Sequence, residues 1–89
     1  MEVKGQCEEQ FEPVKELFKN LHSGRQECGS AFAVYKDGMP IIDLWSGYVD
    51  LNKTKTWKKN TLATVWSTTK GVAALTCALA VERGLLDYD

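Results

Sequence analysis

The chain has 89 residues, of which 44% are hydrophobic and 26% charged, with a formal net charge of -1; mean hydropathy is -0.29 and the isoelectric point is near 5.8. That is the make-up of globular material and one domain at most, and it is not that of a disordered tail. Nothing in the overall charge calls for nucleic acid or an anionic membrane as a partner.

A chain this short buries a smaller share of its surface than a domain of roughly 100 to 150 residues, so its core is marginal unless something completes it. The start, MEVKGQCEEQFEP, shows no basic segment leading into an apolar run, and it is too acidic for a mitochondrial transit peptide. Cys7, Cys28 and Cys77 are odd in number and carry no C-x-x-C spacing, so reduced and mostly packed thiols are expected, with no disulfide framework and no metal site. A reducing compartment, the cytoplasm, is the expected location.

Taken in chain order, the first element is an amphipathic helix over residues 8–22. Phe11, Val14, Leu17, Phe18 and Leu21 recur at spacings of three and four, while Glu12, Lys15, Glu16 and Lys19 fall elsewhere. Pro13 is tolerated in a first turn, and Ser23-Gly24 supplies the stop. His22, the single histidine, stands at the helix end, where an imidazolium is favoured by the dipole, and a capping role is expected of it rather than catalysis.

The run GSAFAVYKDGMPIIDLWSGYVD then places two groups of β-formers around Lys36-Asp37-Gly38. It predicts an antiparallel hairpin with strands near 30–36 and 41–48. A lone hairpin is marginal in water, so these strands need helices or further strands to cover them. Residues 49–60 follow as a polar, locally basic loop carrying Lys53, Lys55, Lys58, Lys59 and Trp57, expected to be solvated.

The last element is a helix from about Thr68 to Arg83, closed by Gly84. From Val72 to Val81 only Thr76 interrupts a run of apolar residues. This run is too short to cross a bilayer, and no membrane partner is expected. A helix apolar on every side belongs in the middle of a domain, which implies a setting larger than these residues.

At the head of that helix stands W-S-T-T-K. Ser67 reads as an N-cap. Lys70, however, puts a cation where the helix dipole favours Asp or Glu. The spacing of three returns Lys70 to the side of the helix where Ser67 lies. A serine hydroxyl is a weak nucleophile until a neighbouring base takes its proton. Lysine serves as that base when apolar burial and a positive field disfavour its charged form, and a helix N-terminus leading into apolar residues offers both. Free N–H groups in the same turn could face a developing oxyanion.

With these residues in place, the order of hairpin, loop, S-x-x-K and TLATVWSTTKGVAALTCALAVERGLLD resembles the serine beta-lactamase-like family, which includes class C beta-lactamases, penicillin-recognising carboxypeptidases and related esterases. The resemblance covers residues 8 to 89. It implies an α+β fold: the N-terminal helix, the antiparallel hairpin and a central apolar motif helix, forming part of a larger antiparallel sheet with helices. It also implies that residues 1–89 are the N-terminal portion of such a domain, with Ser67 as nucleophile, Lys70 as base, an ester or amide as small-molecule substrate, and no cofactor.

The family's later Tyr-x-Asn and Lys- or His-x-Gly motifs are missing from the sequence, and Tyr35, Tyr48 and Tyr88 are not followed by Asn two positions on. The chain alone is therefore expected to be inactive. An alternative from another class is a non-catalytic scaffold that binds a partner, or itself, through apolar surface left uncovered.

Overall fold

Helix α1 (Glu12–Ser23) starts with Pro13 in its first turn, preceded by a 3-10 turn at Glu9–Phe11. It stops where the Gly24 N–H donates to the Asn20 carbonyl at 3.0 Å. These features come from a computed structural model of the chain, which describes residues 2–24 and 27–89.

Three strands form one antiparallel sheet: β1 (Lys4–Cys7), β2 (Gly29–Lys36) and β3 (Met39–Gly47), in the order β1-β3-β2. Strand β1 was not anticipated. Its residues, Lys-Gly-Gln-Cys, show no apolar alternation, and it holds its place by pairing Lys4 with Trp45 through to Cys7 with Ile42. The β2–β3 hairpin turns through Asp37 and Gly38, both at positive φ (51° and 76°). That is the two-residue turn whose twist matches the strands.

Proline in a central strand removes a ladder donor. Here the β2–β3 register shifts between Val34 and Tyr35, opposite Pro40, and β1 pairs only with residues beyond it. The missing N–H therefore falls at an irregularity instead of in the middle of the ladder.

Alternation along β3 turns Ile42, Leu44 and Ser46 to one face. Against that face α1 packs Phe18, forming a core of Phe18, Ile42 and Leu44, with Val3, Phe11, Val14 and Val34 around it. Each of the three buried side chains contributes roughly 1.5–3 kcal/mol. Two members of the expected helical stripe, Leu17 and Leu21, stay exposed.

Helix α2 (Thr69–Glu82) ends with Gly84 at positive φ; Gly84 N–H donates to Val81 and Leu85 N–H to Ala80, which closes the last carbonyls. Thr76, the polar interruption, donates its hydroxyl to the Val72 carbonyl. The helix stands clear of the sheet, with Val72, Leu75 and Leu79 exposed. The radius of gyration is accordingly 16.8 Å, against about 12 Å for a compact chain of this length.

Two expectations need correcting. His22 is not a surface cap: it is buried at 1% exposure, with its ring 4.9 Å from that of Phe18 and Nε2 2.9 Å from the Ser30 hydroxyl. Burial lowers its pKa from the ordinary 6.5, so the neutral ring ties α1 to β2. The second concerns Trp57, which is half-buried although the loop that carries it, residues 49–60, is mostly exposed as expected. Tyr48 bridges to Thr56, the Trp57 N–H donates to Gly47, Asp50 accepts from both Thr54 groups, and Lys59 lies 3.8 Å from Asp43.

The three cysteines are free, Cys7 and Cys28 half-buried and Cys77 exposed on α2. Among the described residues no cluster of acids, His or Cys suits a metal, and no helix is long and apolar enough to cross a membrane.

Candidate active site

Ser67 sits in a 3-10 turn, Trp66–Thr68, that runs directly into α2. The residue before it, Trp66, has φ 48°. A bulky side chain in that region costs on the order of 1–3 kcal/mol, and such strain gathers where a neighbouring group must be aimed. The turn is held by the Thr68 N–H to the Val65 carbonyl at 3.1 Å and by the Thr69 N–H to the carbonyls of Trp66 and Ser67.

In this conformation Ser67 does not cap. The residue at the cap position is Thr68, whose side chain makes no capping hydrogen bond. The Ser67 hydroxyl instead receives the Lys70 Nζ at 3.2 Å. No carboxylate within ion-pair distance holds Lys70 among the described residues. Among the described residues its one polar side-chain contact is the serine.

Serine and lysine open into a shallow depression of about 420 Å³, whose other lining residues are Trp66, Thr69 and Ala73. Its walls are largely apolar, and the Ser67 and Lys70 side chains are both exposed to solvent. No tyrosine lines it. Gly71, in the first turn of α2, leaves open space where a side chain would stand.

Both residues singled out from the sequence are thus brought together at bonding distance. What the sequence did not reveal is the positive φ at Trp66, since tryptophan carries no signal for it.

An antiparallel sheet backed by one helix, with Ser-x-x-Lys heading a second, apolar helix, defines a fragment of the beta-lactamase-like α+β class. The sequence pattern of the Beta-lactamase family matches residues 14–89, and the chain belongs to that family. It is 36% identical over 87 residues to "Esterase/beta-lactamase LipL" of Mycobacterium tuberculosis (strain ATCC 25618 / H37Rv), covering 98% of this chain and 20% of that protein. It also superposes on the crystal structure of a family VIII carboxylesterase with a TM-score of 0.94 at 33% identity, over 99% of this chain and 24% of that one. The chain therefore spans about a fifth to a quarter of the length of these relatives.

Proposed function

We infer that this chain carries the nucleophile and base of a serine hydrolase acting on an ester or amide. The observation that supports it is the 3.2 Å contact between Lys70 Nζ and Ser67 Oγ. In the reaction Lys70 takes the hydroxyl proton as Ser67 Oγ bonds to the substrate carbonyl carbon. The proton then passes to the leaving alcohol or amine. Water finally cleaves the acyl-serine, releasing the acid and restoring the hydroxyl. One similar protein is named an esterase/beta-lactamase and the other a carboxylesterase, and the ester chemistry common to both names favours an ester over an amide.

The test is covalent labelling with a fluorophosphonate or penicillin probe, read by intact mass. One adduct, mapped to Ser67 and absent from Ser67→Ala, supports the reading. An adduct on another residue, or none on the folded protein that carries the whole length of the relatives, contradicts it.

A second reading has its own observation. The exposed Val72, Leu75 and Leu79 of α2 form apolar surface that the described residues leave uncovered, as expected of a segment that functions only when joined to more protein. On that reading the 89 residues by themselves are an inactive scaffold that binds a partner or a second copy. Absence of label on the folded short chain, with label on the longer protein, fits the first reading for the whole and the second for the piece.

A further inference from the structure

Among the described residues, positive φ at a non-glycine position occurs at Asp37, Lys53 and Trp66. The first two have a local reason. Asp37 makes the hairpin turn with Gly38, and Lys53 closes a turn by donating its N–H to the Asp50 carbonyl at 3.1 Å. Trp66 belongs to no hairpin, and its side chain is 82% exposed, so little packing among the described residues offsets the strain of a bulky residue in that region.

The turn that holds it spans Val65 to Thr68, closed by the Thr68 N–H on the Val65 carbonyl at 3.1 Å. Trp66, its first central residue, has φ 48°, while Ser67, the second, has negative φ. That combination is ordinarily glycine's. An aromatic residue therefore holds a glycine conformation directly before the serine.

We propose that Trp66 is a positioning residue, whose left-handed backbone keeps the Ser67 hydroxyl off the helix N-terminus and turned to Lys70. The inference rests on the hydrolase reading and adds what keeps the pair together. A serine that caps a helix is extended, and its oxygen accepts from the N–H two or three residues on; for Ser67 these belong to Thr69 and Lys70. The turn takes the first of them, because the Thr69 N–H is given to the carbonyls of Trp66 and Ser67. It also hands the cap position to Thr68, which is itself helical (φ -57°, ψ -25°) and makes no side-chain capping bond. The serine hydroxyl is left to Lys70 Nζ at 3.2 Å. With a negative φ at position 66 the chain would enter the helix by the usual extended route, and Ser67 would cap it. The backbone of Trp66 carries this effect, and its indole does not.

The test replaces Trp66 in two pairs of similar size, Trp66→Gly with Trp66→Ala and Trp66→Asn with Trp66→Leu, in the protein carrying the full length of its relatives. All four variants lack the indole, and within each pair the first member tolerates positive φ better than the second. Fluorophosphonate is expected to acylate Ser67 about tenfold faster in Trp66→Gly than in Trp66→Ala, and in Trp66→Asn than in Trp66→Leu, with the same far-UV circular dichroism throughout. The Gly and Ala pair decides alone if Trp66→Leu does not fold. Crystal structures of the variants are expected to keep Lys70 Nζ on Ser67 Oγ in Trp66→Gly and Trp66→Asn, and to show that oxygen on a backbone N–H of the helix in Trp66→Ala. Equal rates within both pairs, or rates that follow side-chain size, would overturn the proposal. So would an unchanged Ser67–Lys70 contact in Trp66→Ala, a result that judges the positioning even where the unsubstituted protein takes no label, which would overturn the hydrolase reading instead.

Discussion

Acidification should loosen the docking of α1 onto the sheet, and His22 should be the cause. The ring is buried against Phe18, with Nε2 on the Ser30 hydroxyl and Nδ1 without a partner among the described residues. Burial lowers its pKa from 6.5, and the nearby Glu27 opposes that shift without cancelling it. The unfolded chain therefore binds a proton more readily than the folded one. Stability is complete above pH 6.5 and falls as pH drops below it, until the folded ring itself protonates. A single group sets the steepest slope at about 1.4 kcal/mol per pH unit. Urea titrations followed by far-UV circular dichroism, between about pH 5 and pH 8, measure it. In His22→Gln an amide replaces the titrating ring. The loss of the ring's packing and of its hydrogen bond, the latter about 1 kcal/mol, lowers stability at every pH, but the extra slope below pH 6.5 should vanish. An identical slope in His22→Gln, or a wild type that gains stability on acidification in that window, would refute the reasoning.

Leu44 is fully buried, so Leu44→Ala should cost about 2–5 kcal/mol, read as a shift in the urea midpoint with unchanged slope. Leu75 is exposed on α2; the scaffold reading predicts that the chain self-associates in sedimentation velocity and that Leu75→Asp reduces this while leaving the helical signal intact. Asp50 accepts from both the backbone and the hydroxyl of Thr54, which holds its carboxyl below the usual range. Asp50→Ala should speed hydrogen exchange at the Thr54 amide without moving the global midpoint.

The spacing of Phe11, Val14 and Phe18 and the Asp37-Gly38 turn made α1 and the hairpin legible, because each depends on local geometry. Ser67 and Lys70 were legible for the same reason: three residues of helix bring them together whatever surrounds them. Strand β1 was not, since Lys4 to Cys7 gain their conformation from the partner strand alone. His22 misled because the dipole at a helix end is a local argument, whereas its burial depends on Ser30 arriving from β2. Trp57, placed among lysines, read as solvated, and only the return of the loop to Gly47 packs it. The uncovered flank of α2 matches its all-round apolar sequence, which no element among the described residues is placed to bury.

The central claim is that Lys70 activates Ser67. It is tested most directly by the rate at which a fluorophosphonate acylates Ser67 in the protein carrying the full length of its relatives, compared with the same rate in Lys70→Ala. A drop of roughly 10²-fold or more, with the fold intact by circular dichroism, is the predicted result. Equal rates in the two proteins would contradict it.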